Sequence, residues 1–390
     1  MVTIRPATRD DVERVIALRT QAFNINEHGR DSMRKDPRVE EVRVAEVDGS
    51  VAGTARAIPF AHFFGGRAVE AAGISGVAVA AEARGRGVGT TMMRELLKEL
   101  RPRMPISTLY PATVPIYRST GYGFGGVRTF WKTRLDALPH TGPLSASPFT
   151  DDDIDDVNDA YERFASGTNG LVRRSPDWWQ RRVFADWENR IVYRYLVREG
   201  GDVTGWIVYM LSKADGESWR LNVDVRDLVW TTQAAGRTLL SLAALHRSTG
   251  QSMTWPGPPT DPLADLTAED PLENGGTFRW MLRLLDVPAA IEARGYPPLV
   301  ETSVTIAVRD PLFPENEGPW RIEVGGGQAK VFPAEQADAT GDVQAWASIW
   351  ASLHRARDAV RIGGLEATPQ ALETLELIFG GPMPWIADFF

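Results

Sequence analysis

The stretch that decides the fold reads Gly76-Val77-Ala78-Val79-Ala80-Ala81-Glu82-Ala83-Arg84-Gly85-Arg86-Gly87-Val88-Gly89-Thr90-Thr91-Met92-Met93. It begins as a short apolar run typical of a buried strand and ends in a helical repeat, Met92-Met93-x-x-Leu96-Leu97-x-x-Leu100. Glycines and arginines alternate between the two. A strand that leads through such a turn into a helix gathers backbone N–H groups and the positive end of the helix dipole around one point.

This turn has the chemistry of a pyrophosphate site. Gly87 and Gly89 let the backbone approach a ligand without a Cβ in the way, and Arg84 and Arg86 add positive charge. The pattern is not a P-loop, because no Gly-Lys-Ser/Thr follows, and it lacks the G-x-G-x-x-G spacing of a dinucleotide fold. The alternative is an ordinary strand–loop–helix connection with solvated arginines.

The turn resembles the R-x-x-G-x-G turn of the GNAT superfamily, whose members transfer acetyl groups from acetyl-coenzyme A (acetyl-CoA). The resemblance implies that Val77 and Val79 pair with the pantetheine arm and point an N–H at the thioester carbonyl. It implies a pyrophosphate site formed by Arg84, Gly85, Arg86, Gly87, Val88, Gly89 and Thr90.

Composition limits the classes of function. The chain has 390 residues, long enough for two or three domains, and a net charge of −8, which argues against nucleic-acid partners and slightly favours cationic ligands. Without cysteine it has no thiolate nucleophile and no thiolate metal site. Its five histidines lack ligand spacing, so we expect surface or capping roles and no bound metal. No apolar run reaches membrane-spanning length and no signal peptide is recognisable, so we expect a cytoplasmic protein without a membrane partner.

The first 145 residues predict the element order β-α-α-β-β-β-α-β-α-β-β of a GNAT domain. Asp10 and Asp11 start an amphipathic helix, and Asp48-Gly49 joins two alternating runs as a hairpin turn. We place this domain, with the acetyl-CoA site, at residues 1–145.

Residues 146–282 repeat that pattern. Thr150–Val157 mirrors Thr8–Val15, and a second hairpin precedes an apolar strand, a turn and a helix. The turn here, Thr231–Arg237, keeps one glycine instead of three. We therefore predict a degenerate GNAT-like domain that does not bind coenzyme A; the alternative is a chance similarity of two α/β segments.

Residues 283–390 predict a third domain, which begins near Trp280–Leu285. A helix with Asp286 as its N-cap, a meander turned at Gly325–Gly327 and terminal helices resemble the sterol-carrier-protein-like fold. The predicted fold class is therefore α/β (α+β): two tandem GNAT-like domains, the second degenerate, followed by a sterol-carrier-like domain.

This domain order resembles the enhanced intracellular survival (Eis) family, which acetylates primary amines of aminoglycosides and polyamines. The resemblance implies direct acetyl transfer to a small-molecule amine and a homo-hexamer. Two alternatives remain: an acyltransferase that acts on an amine or hydroxyl of a secondary metabolite, and a non-catalytic protein that binds lipids or small molecules.

Two catalytic groups follow from the resemblance. Tyr117 corresponds to the general-acid tyrosine, and a phenol with a pKa of about 10 can protonate a leaving thiolate. Tyr122 is the alternative acid. The base is the C-terminal carboxylate of Phe390, with Asp388 as the fallback.

The expected acceptor pocket contains Phe23, Asn24, Ile25 and Phe389. Ile25 and Phe389 stand where the family has acidic residues, so two charges that bind a cationic aminoglycoside are missing. A smaller or more apolar amine is equally consistent with the sequence.

Overall fold

The computed structural model describes residues 2–185, 190–214, 219–267 and 272–390. The chain divides into two compact units. The first contains the residues up to Gly125, Trp280–Gly381 and Phe390, and the second contains Gly126–Arg279 and Pro382–Phe389. None of the described helices combines the length and the apolar character needed to span a bilayer.

The N-terminal part of the first unit follows the predicted GNAT order as far as its last helix, but the two final strands of the prediction are one long strand. Its elements are β1 Val2–Pro6, α1 Val12–Phe23, α2 Glu27–Lys35, β2 Val42–Val47, β3 Ser50–Phe64, β4 Arg67–Val79, α3 Val88–Leu100, β5 Ile106–Leu109 and α4 Val114–Arg118. Strand β6 Gly123–Arg134 begins in this unit, and its residues from Gly126 onward belong to the second. The strands form a sheet in the order β1-β2-β3-β4-β5. It is antiparallel up to β4, and β5 pairs with β4 in parallel because α3 carries the chain back across the sheet.

The second unit repeats this topology. Its elements are β7 Ala146–Pro148, α5 Ile154–Ser166, β8 Val172–Arg173, α6 Pro176–Trp178, β9 Tyr193–Glu199, β10 Asp202–Lys213, β11 Leu221–Trp230, α7 Gln233–Ala244 and β12 Gly250–Gly257, and β13 Glu273–Leu284 begins in it. Strands β9, β10 and β11 are antiparallel, and β12 joins β11 in parallel after α7. Two capping boxes also match, Thr8 with Asp11 and Thr150 with Asp153. The shared topology and caps support the internal repeat over chance similarity.

The C-terminal part of the first unit holds the predicted meander and more. Its elements are α8 Val287–Ala293, β14 Thr302–Arg309, β15 Trp320–Gly325, β16 Gln328–Pro333, β17 Ala339–Asp342, α9 Val343–Trp350, α10 Ala356–Arg361, β18 Leu365–Ala367 and α11 Pro369–Phe379. The sheet order is β16-β15-β14-β17-β18. Strands β17 and β18 and helix α10 are short segments without a clear periodicity, so their sequences did not predict them.

The run Trp280–Leu285 differs from its interpretation in the sequence. It does not begin the third unit: its residues up to Leu284 end β13, and Met281–Leu284 pair antiparallel with β5. Trp280, Met281 and Leu282 are all buried, as in a strand covered on both faces. The apolar run is therefore a strand of the N-terminal sheet.

Candidate active site

The glycine turn between β4 and α3 is open and left-handed. Gly85 and Gly87 have φ angles of 74° and 75°, and a Cβ on either would meet no atom within 4 Å. Gly87 is the N-cap of α3, and no side chain caps that helix end. The first-turn N–H groups of this 13-residue helix are therefore free to donate to a bound anion, and the positive end of the helix dipole favours it.

The residues of the turn divide into three kinds. Arg84 and Arg86 are exposed: the Nε of Arg84 donates to the Val79 carbonyl at 3.3 Å, and Arg86 lies 3.4 Å from Asp48. Val88 is buried in the core and Thr90 is half-buried, so Val88 can offer a ligand only its backbone. Gly89 is the second residue of α3, so its N–H is one of the first-turn groups, and a Cβ there would come within 3.0 Å of Ile116. Its small size lets α3 pack against α4.

Strand β4 carries a bulge just before the turn. Thr54 of β3 faces Ala78 and Arg56 faces Ser75, so Ala55 alone opposes the pair Gly76 and Val77. Gly76 has a φ of 59°. A bulge re-aims the backbone groups of its strand and occurs often beside active sites.

The pairing of strands β4 and β5 ends beside this bulge. Their pairing runs from Ala71–Ile106 to Ile74–Leu109, where β5 ends, while β4 continues to Val79. Within the described ranges no strand pairs with that edge of β4 beyond Ile74. Val77 and Val79 lie on this free edge and are half-buried. Such an edge can accept an extended ligand as an added strand.

Tyr117 and Tyr122 differ in environment. Tyr117 lies on α4, and burial raises the pKa of its phenol to about 12. Tyr122 is completely buried, its hydroxyl is 2.7 Å from the Ser107 hydroxyl, and burial raises its pKa further. The two rings contact each other edge to face at 6.0 Å. Because the Tyr122 hydroxyl is already partnered inside the core, Tyr117 is the better-placed proton donor.

The C-terminal residue Phe390 is docked on the same sheet. Its ring is 6 % exposed and packs against Phe60 at 4.8 Å and Tyr110 at 5.5 Å. It also lies over Gly73, where a Cβ would come within 2.8 Å of the ring. Gly73 pairs with Thr108, one residue before the point where β4 and β5 diverge. The chain end is therefore anchored beside the open edge of β4.

His62 is a residue that the sequence analysis misjudged. It was expected at the surface or at a cap, but it is fully buried on β3. Its Nε2 lies 3.1 Å from the Thr108 hydroxyl, and its ring stacks on Trp280 and lies 6.4 Å from that of Phe390. The alternation of Phe60, His62 and Phe64 along β3 is the signal that could have placed it in the core.

Asp388, the fallback base, is engaged elsewhere. It lies in the second unit, buried, where Arg174 contacts it at 3.1 Å and the Trp178 indole donates to it at 2.7 Å. Arg174 also makes two 2.8 Å hydrogen bonds to Asp227. A carboxylate occupied by these donors suits an anchor of the C-terminal tail better than a base.

The expected acceptor-pocket residues lie at the end of α1 and in the tail. Phe23 and Asn24 are exposed, and Asn24 ends the helix in a left-handed conformation with a φ of 52°. Ile25 is half-buried, and its carbonyl accepts from Arg30 at 3.2 Å. Phe389 belongs to the second unit, where its ring, 53 % exposed, lies 5.6 Å from the Arg128 guanidinium.

The second domain's counterpart of the glycine turn is closed by its own side chains. Thr232 is the N-cap of α7, and its hydroxyl accepts from the Ala235 N–H at 3.1 Å. The same hydroxyl donates to the carboxylate of Glu199. An anion at this helix end would lose the capped N–H and meet the Glu199 carboxylate, whereas no described side chain caps the α3 end.

Comparisons with known proteins agree with this architecture. The family described as "Acetyltransferase (GNAT) domain" matches residues 3–125, and another of the same description matches residues 170–284. The family described as "Sterol carrier protein domain" matches residues 287–387.

Whole proteins resemble the chain over most of its length. An uncharacterized N-acetyltransferase of Streptomyces coelicolor is 31% identical over 72% of this chain and 70% of its own. The N-acetyltransferase Eis of Mycobacterium tuberculosis is 25% identical over 80% and 79%. A GCN5-related N-acetyltransferase from Anabaena variabilis has a crystal structure that covers 100% of both chains at 28% identity and a TM-score of 0.95. With two GNAT domains, a sterol carrier domain and relatives of this kind, the chain is an N-acetyltransferase and belongs to the Eis-like family of GNAT enzymes.

Proposed function

We propose that the chain transfers an acetyl group from acetyl-CoA to a primary amine of a small molecule, with aminoglycoside-like and polyamine acceptors as the classes that the family resemblance suggests. The observation that carries the donor is the open turn at the N-terminus of α3, next to a free strand edge. Pyrophosphate fits the helix end and pantetheine fits the edge.

Three residues of the first unit carry out the steps of the transfer: Val77, Phe390 and Tyr117. The Val77 N–H, turned by the bulge, donates to the thioester carbonyl oxygen, where negative charge develops. The Phe390 carboxylate accepts a proton from the ammonium of the acceptor, and the freed amine attacks the carbonyl carbon. Tyr117, whose pKa of about 12 keeps it protonated at neutral pH, donates its proton to the departing thiolate. The C–N bond forms and the C–S bond breaks without an acyl-enzyme. The nitrogen then gives its second proton to the Tyr117 phenolate, and the proton held by the Phe390 carboxylate is released to solvent.

One donor site per chain follows from the contrast between α3 and α7. The α7 end is capped by Thr232 beside Glu199, so we place acetyl-CoA in the first domain only. Residues 1–145, 146–282 and 283–390 remain the predicted domain boundaries, and a cytoplasmic homo-hexamer remains the predicted form. Light scattering after gel filtration measures the assembly directly.

The experiment is a screen for acetyl acceptors with release of free coenzyme A thiol as the readout. The panel contains aminoglycosides, polyamines, amino acids and hydroxyl compounds. Release with any amine supports the proposal, release with hydroxyl compounds alone favours the secondary-metabolite alternative, and no release with any acceptor favours the binding-protein alternative.

A pair of variants tests the donor site separately. Replacement of both Arg84 and Arg86 by Gln should weaken acetyl-CoA binding about tenfold or more, because charged hydrogen bonds to the pyrophosphate are lost. Arg237→Gln is the control: Arg237 is exposed and lies in α7, because the predicted turn Thr231–Arg237 is already helical from Gln233 onward. Equal affinity of both variants for acetyl-CoA would contradict the assignment of the turn.

A further inference from the structure

Arg19 is a buried cation without a counter-ion in the described part of the chain. It lies on α1 and is 7 % exposed. Its Nη2 makes one long contact of 3.4 Å to the Thr54 hydroxyl, and its Nε has no hydrogen-bond partner. Across the described residues, no carboxylate lies within ion-pair distance of it. Buried charges in proteins are as a rule paired, because an isolated one costs much free energy.

The environment of Arg19 increases this cost. Burial, and then the positive charge of Arg56, lower its pKa to about 10. Arg56 does not share the problem, since the Glu41 carboxylate accepts its Nε–H at 2.6 Å. At neutral pH Arg19 is therefore charged and unmatched, and an external anion would supply what the chain does not.

Arg19 also borders the candidate active site. Its Nε is 2.7 Å from the position that a Cβ on Gly76 would occupy, so the guanidinium rests on the bulge of β4. The next residue is Val77, the proposed donor to the thioester carbonyl. Only glycine at position 76 leaves room for the guanidinium there.

An open cleft adjoins Arg19. Its lining includes Arg19, Arg56, Met33, Val39 and Asp36. The carboxylate of Asp36 is 3.2 Å from the Nε of Arg38, so its charge is met by another arginine. The lining is otherwise largely apolar, and Arg19 is the charge in it that pairs with no carboxylate of the described chain.

We propose that Arg19 binds a carboxylate of the acceptor in this cleft, so that the preferred substrates are small amines that carry a carboxylate, such as amino acids, rather than polycations. The inference rests on the proposed acetyl transfer to an amine, and it replaces the polycationic acceptor classes suggested by the family resemblance with amines that carry a carboxylate. It agrees with Ile25 and Phe389, which are uncharged where the Eis family has acidic residues. A carboxylate held by Arg19 keeps the acceptor next to the bulge of β4.

The test compares acceptors that differ only in the carboxylate: lysine with cadaverine, and ornithine with putrescine, each with saturating acetyl-CoA. The wild-type kcat/KM should favour the amino acid by about 10- to 150-fold, the range of a charged hydrogen bond. Arg19→Met should abolish this preference and leave the diamine rate within about threefold, while Arg19→Lys retains part of it. Arg14→Met, on the same helix with a side chain 45% exposed, is the control and should change neither member.

Three outcomes of this comparison would overturn the inference about Arg19. A wild-type preference for the diamine overturns the inference even if no variant folds, and leaves acetyl transfer standing. A loss of kcat/KM by the same factor for both members in Arg19→Met, with a lower melting temperature, assigns Arg19 a purely structural role and also overturns it. Absence of turnover with every amine overturns the proposed function together with the inference.

Discussion

The chain end at Phe390 offers the sharpest test of the mechanism, because its ring and its carboxylate can be removed separately. A C-terminal amide, made by ligation of a synthetic tail, keeps the ring and removes the charge. Phe390→Ala keeps the carboxylate and removes the ring. An extension by two glycines keeps the ring and moves the carboxylate away from it.

The structure sets the expected magnitudes. The ring is 6 % exposed and packs on Phe60, Tyr110 and the surface of Gly73, so truncation to alanine should cost about 3–5 kcal/mol of docking free energy. At about 1.4 kcal/mol per factor of ten, the docked population falls by roughly two to three and a half orders of magnitude relative to the undocked one. Loss of a general base costs about 10²- to 10⁴-fold in rate.

The assay combines turnover, donor affinity and pH. The amide should retain acetyl-CoA affinity and the melting temperature of the acid form, while kcat falls about 10²-fold or more. The rate of the amide should recover as the pH rises, because alkaline solution deprotonates the acceptor amine without help. Phe390→Ala should lose both melting temperature and kcat.

The result that refutes this reasoning is an amide or an extended chain that turns over at the full rate with an unchanged pH profile. The carboxylate would then have no part in proton transfer. His62, buried 6.4 Å from the Phe390 ring, would become the first candidate to examine.

Three further predictions concern Tyr117 and the tail. Tyr117→Phe should lower kcat about 10²-fold or more at unchanged acetyl-CoA affinity, and an unchanged kcat would move the acid elsewhere. Since burial raises the pKa of Tyr117 to about 12, the phenol stays protonated below that pH, so wild-type kcat should show no fall due to this group up to about pH 10; a fall near pH 8 that disappears in the Phe variant would contradict this. Asp388→Asn removes one of the two carboxylate partners of the buried Arg174, so the free energy of local opening of the tail should fall by about 3 kcal/mol. Hydrogen exchange at the Ile386 amide, which donates to the Val127 carbonyl, should then be about 150-fold faster when measured by mass spectrometry. The control is Asp136→Asn, which removes an exposed ion pair with Arg134 and should leave exchange at the Ile386 amide unchanged. Equal exchange rates in the two variants would contradict the role of Asp388 as an anchor of the tail.

The parts of the fold that could be predicted are those specified by local chemistry. Asp48-Gly49 turns the β2–β3 hairpin, Asp286 caps α8 through the Ala289 N–H, and the glycine turn begins α3. Each depends on residues a few positions apart, so one segment of sequence contains the whole cause. The repeat was visible for the same reason, since each copy carries the same local signals in the same order.

The features that sequence reasoning missed depend on partners far along the chain. His62 became a core residue because Thr108 and Trp280 meet it across the sheet. Trp280–Leu284 became a strand of the N-terminal sheet because β5 offers it a free edge. Gly76 looked like an ordinary strand residue, and its bulge is visible only from the register of β3 against β4.

Arg19 shows why a candidate specificity residue is hardest to read from sequence. Helix periodicity places Arg19 on the apolar face of α1, three, four and seven residues after Ile16, Val15 and Val12, and places Arg14 off that face. This spacing indicates burial, but it does not indicate which groups surround the guanidinium. Its significance comes from two facts that belong to the whole unit: it is buried against Gly76, and no described carboxylate pairs with it. The other two arginines around the cleft do have carboxylate partners: Arg38 pairs with Asp36, and Arg56 pairs with Glu41. Of these three arginines, Arg19 is therefore the one whose charge no described carboxylate neutralises. The Arg19 guanidinium rests on Gly76, the residue before Val77, whose N–H is the proposed donor to the thioester carbonyl. A carboxylate of the acceptor is therefore the counter-ion that we propose for it. The preference for carboxylated acceptors in the paired-amine assay measures this interaction.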